Sequence, residues 1–360
     1  MSMKYDLLWL AIVTTLPITS LYAQDDFGFD DEEEPAAESS MNFIEIGMGG
    51  VSDDNGKLGG FSDNLDGEGA LVIGEIHLET STDTSVTYLD LSQTPYNKNG
   101  SIGYWRPGDL KAEIYGYDSR KIEKFNVLTK YADSGNATDL AIRNNEPGRR
   151  TYRVERDTYG IAVTKFLGKY WSLSADYNRQ KKEGTKTLGD HESSDAILPS
   201  VIDYEHDRFT IGAHYRGEKL VVGTSYYLSA FTNDNDAVRL FDNGVLLGEL
   251  GLEPDNKFSR FELDGLYRIG GRTSLNWIVN WSKAEQDETI IGDDPLLLPG
   301  SNIDGEVERL NGRITLSSRP IKNFNYKLEY AYRDRKANHD PIDLDYRRDS
   351  KVFDKEQDTY

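Results

Sequence analysis

Cysteine is absent from all 360 residues. That excludes disulfide staples, thiolate metal sites and a covalent c-type haem on this chain, whose attachment needs two cysteines and a histidine. Histidine is scarce. The five, His77, His191, His206, His214 and His339, show no HExxH or other metal-ligand spacing. Beyond residue 23 no apolar run approaches the ~20 residues of a membrane helix. Basic residues are in deficit, 41 Lys and Arg against 62 Asp and Glu, and the net charge of −21 excludes a nucleic-acid partner, which a polyanion repels. No GxSxG elbow is present, and Gly47-Met48-Gly49-Gly50 lacks the third glycine and the helix of a dinucleotide fingerprint. Asn233-Asp234-Asn235-Asp236 lacks the central glycine and terminal glutamate of an EF-hand and reads as a solvated loop. With 62 acids, carboxylate pairs arise by chance, so none marks a hydrolase. No catalytic, cofactor-binding or metal-binding residue is assigned, and no enzymatic activity is expected.

What is present begins with an export signal. Lys4 precedes an apolar stretch from Leu7 to Leu21, interrupted by Pro17 and ending at Leu21-Tyr22-Ala23 before an abrupt acidic turn. That is the layout of a cleaved signal peptide, and the stretch is short for a spanning helix. Residues 1–23 are therefore read as a signal peptide and 24–40, with the acidic run Asp25 to Glu34, as a disordered leader. Residues 41–360 remain for the folded body.

That body reads as strands. In Leu275 to Trp281 the odd positions are Leu, Trp, Val and Trp, and the even ones Asn, Ile and Asn. From Phe324 to Tyr332 the even positions are Phe, Tyr, Leu, Tyr and Tyr, with Asn, Lys, Glu and Ala between. The same two-residue period recurs at Tyr159-Ile161-Val163, Trp171-Leu173-Ala175-Tyr177, Phe209-Ile211-Ala213-Tyr215 and Phe261-Leu263-Gly265-Tyr267. His77 and His214 also fall at alternating strand positions, as lumen or surface residues. Tight turns are expected at Gly168, Gly217, Gly270 and Pro320, spaced by 49, 53 and 50 residues, and upstream near Ser81-Thr82-Asp83 and Arg106 to Asp109. Longer polar connections lie at Lys182 to Ser200, Thr232 to Asn256 and Asp287 to Ser301.

Short turns on one side and long loops on the other are the asymmetry of outer-membrane barrels, and their alternating strands hide a lipid-facing band inside a hydrophilic average. A mean hydropathy of −0.63 is thus compatible with a membrane protein. The fold class expected is all-β, a transmembrane antiparallel up-and-down β-barrel of roughly 12–14 strands in the outer membrane of a Gram-negative bacterium. A secreted β-sandwich or solenoid is the soluble alternative. Against it stand strands longer than the ~5–6 residues usual in soluble sheets, and Trp and Tyr near strand ends.

Particular residues add a family resemblance. Gly49-Gly50-Val51-Ser52-Asp53-Asp54-Asn55-Gly56-Lys57-Leu58-Gly59, followed by Gly67 to Gly74, is similar to an opening segment and first strand of the MtrB/PioB family. Arg153 to Ile161 resembles a mid-barrel strand of that family. The most specific likeness joins Val201-Ile202-Asp203-Tyr204, Thr224 to Phe231, and the loop Leu252-Glu253-Pro254-Asp255-Asn256, in order and spacing. The resemblance runs from Asn42 to about Arg333. Some members carry a Cys-x-x-Cys pair that is missing here, so no role of that pair transfers.

The resemblance implies a sheath: a barrel that holds and insulates a periplasmic multihaem c-type cytochrome for electron transfer across the outer membrane, and that docks an extracellular multihaem cytochrome on its long loops. The haems belong to the partner, and the chain itself binds no cofactor. Enclosing a folded plug takes about 22 strands. Residues 41–360 are therefore expected to be an N-terminal portion of the wall, an incomplete barrel. An ordinary outer-membrane porin or channel is the alternative, and an exported β-rich binding protein the third reading. Asn276, Asn280, Lys327 and Glu329 are polar positions expected to face the lumen, as candidates for cytochrome contact or as hydrated wall.

Overall fold

The computed structural model describes residues 42–51, 69–94, 97–133, 138–142, 148–190, 197–289 and 302–338. The expected signal peptide and leader, most of the family-like opening segment and the end of the chain lie outside the described residues, as do His191 and His339.

All regular structure described is β: β1 (Phe43–Val51), β2 (Gly69–Ser81), β3 (Val86–Gln93), β4 (Asn97–Arg106), β5 (Leu110–Thr129), β6 (Tyr131–Asp133), β7 (Asp139–Ile142), β8 (Gly148–Leu167), β9 (Trp171–Asp190), β10 (Ile197–Arg216), β11 (Leu220–Asn233), β12 (Ala237–Asp242), β13 (Val245–Gly251), β14 (Asn256–Gly270), β15 (Thr273–Thr289), β16 (Asn302–Ile321) and β17 (Phe324–Asn338). Thirteen form one sheet in the order β1-β2-β3-β4-β5-β8-β9-β10-β11-β14-β15-β16-β17. Every neighbouring pair is antiparallel. This is an up-and-down wall with a strand count inside the expected range. It is not closed, since among the described residues β1 and β17 pair on one side only.

Register carries the alternation of each strand across the sheet. Ile102 stands opposite Ile114, which stands opposite Ile161, and the row continues through Tyr177 and Phe209 to Leu228. The row shifted by one residue reads Tyr115, Gly160, Asn178, Arg208 and Ser229. One face is therefore apolar and the other polar, because a side-chain period of two is preserved wherever pairing stays in register. On the apolar face Ile211 is 49% exposed and Leu328 62% exposed. A contiguous band of this kind is stable only against lipid.

The band has marked edges. At the short-turn rim Trp171 and Tyr215 pack with ring centroids 5.0 Å apart. At the other rim Arg179 donates from Nε and Nη2 to the two oxygens of Asp207 at 2.7 and 2.8 Å, and Tyr177 donates to the same carboxylate at 2.6 Å. Lys283 pairs with Glu285 and Glu306 at 2.7 and 3.1 Å on the same outward face. Trp171 to Tyr177 spans about 20 Å along the strand at ~3.3 Å per residue, on the scale of an outer-membrane apolar band with its aromatic girdle.

Three expectations need correction. Ser318-Arg319-Pro320 is not the turn: β16 runs to Ile321, the register shifts between Ser318 and Ile321, and the chain reverses at Lys322-Asn323. Asn323 supplies the left-handed conformation there, φ 71°, which a proline cannot adopt. Lys182 to Ser200 is mostly strand, because β9 continues to Asp190 and β10 starts at Ile197. Its alternating Lys, Glu and Thr are polar on both faces, which is how a strand reads once it has left the lipid. Thr232 to Asn256 is not a bare loop either.

That segment contributes β12 and β13 to a second sheet, ordered β13-β12-β7-β6. β7 arises from the connection between β5 and β8, β12 from that between β11 and β14, and the two pair in parallel through Arg239↔Asp139, Leu240↔Leu140 and Phe241↔Ala141. Two long connections thus fold together. The buried hydrophobic residues of the described chain gather at this end: Tyr131, Leu140 and Val238 in one cluster, Val154, Ile202 and Tyr204 in another.

Candidate functional site

The polar face of the large sheet is the lumenal wall, since the opposite face is the one lipid must cover. Asn276, Asn280, Lys327 and Glu329 all lie on it. Asn276 pairs with Thr315, which pairs with Glu329, so these two candidates share a cross-strand row. Asn280 lies two repeats of the pleat further along, opposite Asn311. Lys327 is 2.9 Å from Glu329, whose carboxylate also lies 3.6 Å from Arg313. His77 and His214 stand on this face as well, with His77 Nδ1 2.5 Å from Asp90 Oδ1.

Along the middle strands the wall is kept smooth by glycine. Tyr115 lies flat across Gly160, where an added Cβ would come within 2.5 Å of its ring, and its hydroxyl reaches Asp176 two strands away at 3.4 Å. Gln180 joins Thr158 at 3.1 Å and Tyr117 at 3.4 Å by a similar reach. These contacts stiffen a surface that stays hydrated and half exposed.

Above the lipid band the same face changes character. Val154 and Ile202 both stand opposite Gly184, one on either side. Gly184 adopts φ +131°, and a Cβ there would lie 2.0 Å from the Arg153 carbonyl oxygen, so the two apolar neighbours close over a position that only glycine fits. Tyr204 packs edge-on against Phe231 with centroids 5.1 Å apart. Its hydroxyl donates to Glu253 Oε2 at 2.6 Å and accepts from Lys186 Nζ at 3.2 Å, while Lys186 also pairs directly with Glu253. Burial alone would raise the Glu253 carboxyl, but the hydrogen bonds from Lys186 and Tyr204 outweigh it and hold the group below its ordinary value. Burial likewise works against the Lys186 ammonium, and the bonds to Glu253 and Tyr204 keep it above its ordinary value.

The segment after β13 is thereby fastened to the lumenal side of β9 and β10. Asn233 anchors it from below, donating from its backbone to Asp255 at 2.7 Å and from its side chain to the Glu253 carbonyl at 2.9 Å. Leu252 inserts into the cluster of Tyr131, Leu140 and Val238. Sequence reasoning singled out Ile202-Asp203-Tyr204 and Leu252-Glu253-Pro254-Asp255-Asn256 only as family-like segments. The structure brings them together as one latch at the mouth of the wall, with Lys186 as the member that no motif flagged. Asn233 to Asp236, weighed for calcium, turns here instead, with the Asp234 amide bonded to the Asp203 carbonyl at 3.0 Å.

The family comparison agrees with this architecture. The family described as an outer membrane beta-barrel porin, MtrB/PioB, matches residues 55–353. Solved structures similar to the chain include in-vitro folded OmpT, an outer membrane protein of Vibrio cholerae, at 10% identity over 83% of this chain and 89% of that one, with a TM-score of 0.31. A loop L8 deletion mutant of the same protein aligns at 12% identity over 75% and 87%, with a TM-score of 0.31. No curated protein matches. The chain belongs to the MtrB/PioB family of outer-membrane β-barrel porins, and its place is the outer membrane of a Gram-negative bacterium.

Proposed function

We propose that this chain is wall rather than catalyst: a sheath that holds a periplasmic multihaem c-type cytochrome and insulates its haems from lipid for electron transfer across the outer membrane. It binds no cofactor itself. Membership of the MtrB/PioB family carries this reading, and a hydrated lumenal face of Asn, Ser, Thr and paired charges is the surface such an occupant needs. Between the two edge strands the backbone groups of the wall are satisfied by its ladders, so there an occupant meets side chains. In this orientation the short turns are periplasmic and the second sheet lies outside, where an extracellular multihaem cytochrome would dock.

The test is isolation of the full chain from its native envelope in mild detergent, followed by haem staining and planar-bilayer recording. The sheath reading expects stoichiometric haem protein and no open pore. A pore of steady conductance without haem protein favours the second reading, an ordinary porin, which the family description supports.

A further inference from the structure

The charges of the lumenal wall are not mixed evenly. On β1, β2 and β3 the polar face carries Glu45, Glu75, Glu79 and Asp90, with no lysine or arginine among them and His77 beside Glu79 and Asp90. On β16 and β17 it carries Arg309, Arg313, Lys327, Arg333 and Arg335, opposed by Glu329 alone. On β14, between them, Arg260 and Arg268 balance Glu262 and Asp264.

Within each arc, like charges face each other directly. Glu45 is paired with Glu75 across β1 and β2, and Arg309 with Arg335 across β16 and β17. All four stand exposed, and none has an ion-pair partner among the described residues. Directly opposed like charges weaken a sheet, and neutral polar residues would hydrate the wall equally well. Nor do the arcs neutralise each other. Eight strands separate them in the sheet, and no ion pair joins them among the described residues.

We infer that the wall is electrostatically two-sided and takes a protein of complementary two-sided charge, so that the arcs set the rotation of the occupant about the barrel axis. The occupant turns a lysine-rich flank to β1–β3 and a carboxylate-rich flank to β16–β17. This deepens the sheath reading and rests on it. Opposed arcs of this kind select for rotation more than for affinity, because the wrong rotation brings like charges together.

Because the chain lacks cysteine, single thiols can be placed cleanly in the full-length complex. Ser92→Cys sits on the lumenal face beside the acidic arc and Thr315→Cys beside the basic one. A thiol-to-amine crosslinker is expected to capture the co-purifying cytochrome at least about fivefold better from the first site, and a thiol-to-carboxylate crosslinker correspondingly better from the second. Equal capture by both reagents from both sites, with cytochrome retained, overturns the inference and leaves the sheath intact. Loss of cytochrome from the unaltered chain ends the sheath reading and this inference together. As a second measurement, the pairs Glu45→Lys with Glu75→Lys, and Arg309→Glu with Arg335→Glu, should each lower retained haem about tenfold at low salt, the gap closing near 1 M salt where screening falls to ~3 Å. Unchanged retention at every salt in correctly assembled variants contradicts it.

Discussion

Lys186, Tyr204 and Glu253 are a small polar triad whose value lies in what it fastens. Glu253 is the member through which pH acts. A carboxyl whose folded-state value is depressed contributes stability above its unfolded value, and that contribution is lost as pH falls through the folded value. Here hydrogen bonds from Lys186 and Tyr204 keep the value low against the opposing effect of burial. The latch should therefore hold at neutral pH and loosen on acidification through and below the ordinary carboxylate range. Hydrogen exchange over residues 252–256 checks this. Protection is expected to fall with acid in the unaltered chain, and to start low and stay flat in Glu253→Gln. Superimposable curves for the two proteins would show that the triad fastens nothing.

At the scale of elements, the second sheet behaves as a unit apart from the wall. Leu140 is 1% exposed and packs on Tyr131 and Val238, whereas the band residues of the large sheet owe their burial to lipid. Leu140→Ala is expected to cost ~2–5 kcal/mol of local stability as a core truncation. The cost should fall on this second sheet, the cap of the wall, alone: limited proteolysis within 234–255 should accelerate, while the temperature at which the barrel loses its compact mobility in detergent gels stays put. A fall in that temperature would show cap and wall to be one cooperative body. Elements also differ in how far the sequence reveals them. The lipid-facing strands were legible because half their positions are apolar and their turns carry glycine, as at Phe209 to Tyr215. The upper halves of β9 and β10 were not, because outside lipid a strand has no apolar face to betray its period. The cap strands β7 and β12 were invisible for a further reason: each is short, and what makes them strands is a parallel partner about a hundred positions away. Of the site, the lumenal positions Asn276 and Glu329 followed from alternation alone, while the latch depends on contacts between loops that no local pattern encodes.

The whole molecule is organised by which solvent each face meets. An arginine at Ile211, on the lipid face, should destabilise the folded protein by ~2–4 kcal/mol if the position lies near mid-bilayer. An arginine at its neighbour Thr210, on the lumenal face, should cost far less. Urea titration of both variants folded into lipid vesicles distinguishes them, and equal penalties would mean that the faces have been assigned wrongly. The same division explains why a chain of −21 net charge can sit in a membrane at all. Among the described residues the charges are confined to the lumen, the rims and the connections, and the lipid sees little beyond Ile, Leu, Val, Ala and aromatic rings.

Several strands, β5, β8, β9, β10 and β16, run for 20 residues, about 66 Å at ~3.3 Å per residue, against a lipid band of ~25 Å. Even allowing for tilt, a large part of each strand stands clear of the bilayer on the long-loop side. This overhang is hydrogen-bonded sheet, not slack loop. The wall continues past the lipid band as paired strands, and whatever meets it on the long-loop side does so at a height set by strand length and not by loop conformation.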